Sequence, residues 1–210
     1  MFLEHNVRNM QYFSYTEKVV SLANQKGLIR PIDLDALNIP RIYLTRLTAS
    51  GALIKVGRGL YKLPDHMLSE YEGLAMVTKK IPQAVICLVS ALQFHELTTQ
   101  LPRQIWIAVP RGSNSSKISY PPIKMIQYSG ESYSKGIEEH QCDQVPIKVY
   151  CIAKTIADCF KHRNKIGVDV AIEALRDARR KNKVTTEDLW RYAKICRVSN
   201  VMRPYLEATE

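Results

Sequence analysis

The chain of 210 residues has no apolar run approaching the roughly 20 residues that a helix needs to cross a bilayer. Its first residues, Met1 to Arg8, include Glu4 and lack an apolar core segment, so a secretory leader is not expected. A cytoplasmic protein without a membrane partner is therefore expected. Cysteine is sparse: Cys87, Cys142, Cys151, Cys159 and Cys196 are odd in number, form no CxxC motif and sit in a chain that needs no disulfide staples, which points to reduced thiols. Internal repeats, low-complexity tracts and a Gly/Ser linker are also missing. Acidic residues fall short of basic ones, 20 against 30, giving a formal charge of +10 and a pI near 9.4. Such an excess fits either a polyanionic partner such as nucleic acid or merely a well-solvated surface, until it is located along the chain. With 46% hydrophobic residues, one moderate core or two small ones can form.

Within the first third, basic residues gather in one stretch without acidic ones. Residues 16–26 place Val19, Val20 and Ala23 on one helical face, with Thr16 as N-cap and Gly27 where a left-handed residue ends a helix. Leu28-Ile29 is an extended link. Pro31 then occupies the first position of a short second helix whose apolar contacts are Ile32, Leu34 and Leu37, closed by Asn38. Pro40 opens a third helix to about Ser50, with Leu44 and Leu47 inward and Arg41, Thr45 and Arg46 outward; Gly51 ends it. Residues 53–56 and 60–63 form strands joined by a Gly57-Arg58-Gly59 tip. Three short helices and a basic hairpin are the pattern of a winged helix-turn-helix, whose last helix enters the major groove while the wing meets backbone or minor groove. Between Arg41 and Leu63 stand Arg41, Arg46, Lys55, Arg58 and Lys62 and no acidic residue. These five, with Thr45 and Tyr43, are the candidate contacts to double-stranded DNA. Tyr43 either stacks or meets a phosphate, or packs on the second helix.

A second region follows. Residues 69–80 predict a connecting helix, residues 84–89 a buried strand, and Ser90 the cap of a helix running to Glu96. Strands are expected over 105–109 and 123–128, and a hairpin over 137–141 and 145–150 around Cys142-Asp143-Gln144. Helices are expected over 152–162, 167–181, 185–196 and 200–207, with Thr185 and Asp188 in a capping-box arrangement. The fold class is thus α+β: a winged helix-turn-helix over 1–66, then an α+β domain over 67–210 with a mixed or antiparallel sheet followed by a helical end.

Catalytic patterns are weak. His140, Cys142, Cys159 and His162 have the residue types of a zinc site, but Cys159 falls on the apolar side of a helix, where a buried free thiol is ordinary, so neither metal nor cofactor is expected. Nuclease or nucleotidyltransferase is the competing enzyme class. Glu138-Glu139 is followed by His140-Gln141 rather than by an acidic residue and a lysine, and Gly112-Ser113 has no nearby acidic pair. Asp158, Asp169, Glu173 and Asp177 are explained as solvated helical pairs with neighbouring cations. Ser90 and His95 lack a glycine-framed nucleophile elbow. No enzyme is expected. Two further basic features are a positive loop, Arg103, Arg111 and Lys117 around Gly112 to Ser116, and a cluster of Arg176, Arg179, Arg180, Lys181 and Lys183 at a helix end. Either touches RNA or DNA, or the second merely complements the dipole of a helix C-terminus.

The strings VSALQFHELTTQLP (89–102), AKTIADCFKHRNKIG (153–167) and RVSNVMRPYL (197–206), with GRGLY (57–61), resemble the AbiEi-type antitoxins of abortive-infection systems. The resemblance runs from Tyr15 over nearly the whole chain. It implies a transcriptional autorepressor that binds its own promoter or operator and counteracts a nucleotidyltransferase-like toxin encoded beside it, without a stable complex between the two. A free-standing winged-helix regulator with no toxin partner is the alternative reading.

Overall fold

A capping box opens the first helix. The Glu17 amide donates to Ser14 Oγ at 3.3 Å while the Ser14 amide donates to Glu17 Oε2 at 2.7 Å, so helix α1 spans Tyr15–Lys26 and its cap is Ser14 rather than Thr16. The computed structural model describes residues 14–64, 71–113, 118, 120–142 and 145–208. They fall into two compact units, Met1–Lys79 with Gln141–Val145, and Lys80–His140 with Pro146–Glu210.

In the first unit, helix α2 (Pro31–Asp35) has Pro31 at its start, and Asp33 rather than an apolar residue secures it. The Asp33 carboxylate accepts from the Arg30 amide at 2.7 Å and from Lys26 Nζ at 2.9 Å. Burial pushes this carboxyl up, but those two hydrogen bonds and the cations Lys26 and Arg30 outweigh it and hold the group below the usual carboxylate range. Of the three apolar contacts expected in α2 only Leu34 is buried; Ile32 and Leu37 are exposed, because Asp33 takes the inward position beside Leu34. Helix α3 spans Ile42–Ala49 with Arg41 as N-cap, so Pro40 precedes the helix instead of opening it. Leu44 and Leu47 point inward onto a core with Val19, Ala23, Ile29, Leu34 and Leu53. Strands β1 (Ile54–Gly57) and β2 (Leu60–Lys62) form an antiparallel hairpin with an irregularity between Lys55 and Gly57. Ile29 adds a third rung: its amide donates to Tyr61 O at 2.9 Å and its carbonyl accepts from Tyr61 N at 3.0 Å. Helix α4 (Glu72–Lys80) follows; the expected start of this helix at Ser69 lies outside the described residues.

The second unit is built on a five-stranded sheet of order β5-β4-β3-β7-β6, comprising β3 (Val85–Ile86), β4 (Ile105–Pro110), β5 (Ile123–Tyr128), β6 (Ile137–Cys142) and β7 (Val145–Tyr150). It is mixed: β3 is antiparallel to β4 and parallel to β7, and β4 is parallel to β5. The strand expected over 84–89 is cut to two residues because the chain turns at Cys87 and Leu88, where φ reaches +48°, into helix α5 (Leu88–Phe94). Ser90 is therefore inside α5 and caps nothing; its buried Oγ accepts from the Trp106 amide at 3.0 Å. Helices α6 (Glu131–Ser134), α7 (Ile152–Lys161), α8 (Arg163–Ile166), α9 (Val168–Arg180), α10 (Thr186–Cys196) and α11 (Ser199–Glu207) complete the unit. Thr185 caps α10, accepting from the Asp188 amide at 3.1 Å. Leu92, Ile156, Phe160, Leu175, Leu189 and Met202 from these helices pack with Ala108, Ile126 and Tyr150 of the sheet. The architecture is α+β, helix-turn-helix first. Among the described residues no helix is long and apolar enough to cross a membrane.

Every residue from Ala153 to Phe160 is buried, so α7 is a central helix and carries its two charges with it. Asp158 is not a solvated helical acid. Its side chain and that of Lys154 have no exposure at all, and Lys154 Nζ donates to Asp158 Oδ2. Cys196 Sγ donates to the second carboxylate oxygen at 3.3 Å, and the ammonium lies 4.1 Å from the Tyr150 ring centroid and 4.8 Å from that of Tyr128. Burial drives the Asp158 carboxyl above its usual range, with Lys154 and the Cys196 thiol pulling it back. The fit around the pair leaves room only for glycine at 136. There φ is +78°, and a Cβ would stand 2.9 Å from Lys154 Cβ and 3.0 Å from the Tyr192 ring. Removing one member strands the other charge in the core, so Lys154→Met should cost about 3–5 kcal/mol in denaturant unfolding. Lys154→Met with Asp158→Leu should recover most of that loss, and an equal cost for single and double variants would contradict this account of the pair.

Next to it, the half-buried His162 ring is tilted against Tyr128, with centroids 5.7 Å apart. Burial, then Lys165, Lys161 and Lys154, push its pKa from 6.5 down to about 4. The unfolded chain thus takes up this proton near 6.5 while the folded chain resists it until about 4, so acid favours unfolding across that window. Thermal melts should show stability falling as pH drops from about 6.5 towards 4, with a shallower fall for His162→Gln.

Candidate nucleic-acid interface

The helical turn and the wing bring the first unit's cations out of the core by simple periodicity. Leu44 and Leu47 take the inward positions of α3, which leaves Arg41, Thr45 and Arg46 exposed. On the hairpin, Lys55 and the tip residue Arg58 are exposed, and Gly59, at φ +68°, supplies the left-handed residue that the turn needs. Lys62 differs. Its side chain is 16% exposed and its ammonium lies 3.9 Å from the Glu72 carboxylate, which removes it from the exposed set.

Two of the exposed cations have fixed settings. Arg46 lies over the Tyr43 ring with its guanidinium carbon 5.4 Å from the centroid, and Tyr43 meets Tyr15 edge-to-face with centroids 5.2 Å apart. Tyr43 is half-buried against the core of the unit, and its ring supports Arg46. Arg41 is held by Asp35 across the turn between α2 and α3. Hydrogen bonding from Arg41 keeps the Asp35 carboxyl below the usual carboxylate range. The pairing with Asp35 escaped sequence reading because it spans six residues and two elements.

The basic residues of the second unit are more dispersed than expected. Arg103 precedes β4 and Arg111 follows it, so a strand of about 20 Å separates them and they do not share a loop. Arg111 is exposed beside Gly112, while Lys117 lies outside the described residues. In the helix-end cluster, Arg176 is exposed and Arg179 half-buried. Arg180 pairs with Asp177 at 2.9 Å. Lys181 Nζ donates to Glu96 O at 2.7 Å and Lys183 Nζ to His95 O at 2.9 Å. These two lysines serve the carboxyl end of α5, not the dipole of their own helix. His95 Nε2 is 2.7 Å from Tyr150 O and Ser90 is held by Trp106, so these two side chains are each committed to backbone elsewhere.

Helices α1 to α3, the hairpin and the Ile29 rung define a winged helix-turn-helix. Residues 17–64 match the family model described as transcriptional regulator, AbiEi antitoxin, so this segment is similar to the AbiEi-type regulators. No curated protein matches the chain.

Proposed function

We propose that the protein is a DNA-binding transcriptional repressor of its own gene and an antitoxin that counteracts a nucleotidyltransferase-like toxin encoded beside it, acting without catalysis and in the cytoplasm. The observation that carries the reading is the exposed set Arg41, Thr45, Arg46, Lys55 and Arg58 on α3 and the wing, a stretch of chain with no acidic residue. Neutralising phosphates with such a surface releases counterions, so log K falls with log salt by about 0.9 per phosphate neutralised. Gel shifts with the DNA upstream of the gene should therefore weaken steeply with salt. Arg58→Ala should weaken all duplexes alike and lower the salt slope by about one, and Lys62→Ala should do so less because its ammonium is half-withdrawn. Arg46→Ala should cost on the order of 1–3 kcal/mol on the preferred duplex and relax its sequence preference. Affinity indifferent to salt, or equal binding to random duplex, would reject operator recognition.

The antitoxin half rests on the similarity of the 17–64 segment to that family and on the chain's wider resemblance. Its target is a polyanion shared with the toxin rather than the toxin itself, as the basic residues of the second unit suggest; Arg111 and Arg176 are both exposed. Growth rescue in cells expressing the neighbouring toxin should persist in folded full-length Arg58→Ala and decline in Arg111→Ala/Arg176→Ala. The reverse pattern would place neutralisation in the winged helix. A free-standing regulator is the second reading, favoured if no nucleotidyltransferase gene adjoins this one, and Mg²⁺-dependent cleavage of duplex DNA would instead support a nuclease.

A further inference from the structure

Asp35 ends α2 and Arg41 caps α3, and the turn between them brings their side chains into a two-pronged contact. Arg41 Nε donates to Asp35 Oδ1 at 2.8 Å, and Arg41 Nη2 donates to Asp35 Oδ2. Both groups remain at the surface, 64% and 40% exposed, so the contact adds little to stability and its main consequence is orientation. A guanidinium is a rigid planar fork. With the Nε/Nη2 side taken by the carboxylate, the end bearing Nη1 and the second hydrogen of Nη2 faces away from Asp35. That end presents two parallel N–H donors spaced for two neighbouring acceptors.

In the major groove guanine alone offers two acceptors side by side, N7 and O6; adenine pairs an acceptor with a donor, thymine an acceptor with a methyl group, and cytosine offers a donor. A phosphate also offers acceptors, but the Asp35 carboxylate beside the fork repels a second anion. Arg41 stands at the amino end of α3, the part of a recognition helix that meets base edges. We propose that Asp35 is a positioning residue that orients Arg41 to read a guanine of the operator. The inference rests on α3 being the recognition helix of the interface proposed above.

The test uses the full-length protein and a duplex library with a randomised core, selected by binding and sequenced. Wild type should enrich guanine at a defined core position, and Arg41→Ala should lose that enrichment alone. Asp35→Ala should lose it by about tenfold or more while total affinity for random duplex at low salt stays equal or rises, because an anion is removed and a cation released to phosphate. Asp35→Asn, which keeps one acceptor, should fall between. The combination of Asp35→Ala with Arg41→Ala should match Arg41→Ala, as expected of one residue acting through the other. A merely structural role would instead lower the melting temperature, weaken binding to every sequence, and add to Arg41→Ala; that result overturns the proposal, as does undiminished guanine enrichment in Asp35→Ala. Salt-dependent binding without any guanine preference in wild type overturns the proposal and leaves the interface standing, whereas no salt-dependent duplex binding at all removes both.

Discussion

Two backbone hydrogen bonds between Ile29 and Tyr61 decide the geometry of the winged helix-turn-helix. They fasten the link between the first two helices to the second strand of the wing, so the hairpin continues the helical core instead of projecting as an independent two-stranded ribbon, which would be marginal in water. Asp33 works towards the same end from the other side. By satisfying the Arg30 amide and drawing in Lys26, it fixes the start of α2 immediately after the Ile29 rung. The cations on α3 and the wing are then displayed by one small rigid unit, and electrostatic attraction to phosphate can be directional.

Much of that unit was legible in the sequence because its determinants are local. Prolines, glycines and the 3.6-residue spacing of Val19, Ala23, Leu44 and Leu47 act within one helix or turn, and they locate α1 to α3 to within two residues. The errors came where two local signals competed. Thr16 and Ser14 both offer a hydroxyl, and only Glu17, three residues after Ser14, decides between them through reciprocal hydrogen bonds. Ile32 and Leu37 are as apolar as Leu34, yet the inward position beside Leu34 in α2 goes to a charged residue whose partners lie outside the helix.

The second unit was legible in content but not in arrangement. Strand and helix segments follow from periodicity, whereas the sheet order depends on pairing between strands far apart in the chain, such as β3 with β7. A two-residue strand next to a left-handed leucine carries no pattern long enough to read. The acid-base pair of α7 misled for a related reason: Lys154 and Asp158 show the same i,i+4 spacing whether they face water or the core. The distinguishing signal lies in the neighbours. They are not in the helix's own pattern, where Lys154, Thr155, Asp158 and Lys161 share one face as in a surface helix; Tyr128, Tyr150 and Cys196, which cover Lys154 and Asp158, come from other elements of the chain.

The enclosed ammonium and carboxylate also constrain how such a sequence can drift. Four side chains and a glycine are fitted to one another there, since the Tyr150 ring, the Cys196 thiol and the bare backbone at Gly136 each answer a demand made by Lys154 or Asp158. Substitution at either charged position, taken alone, passes through an intermediate with a stranded charge, so viable lineages should change the two together or not at all. Positions 154 and 158 are accordingly expected to co-vary among descendants of this chain, and position 136 to stay fixed for as long as the lysine does.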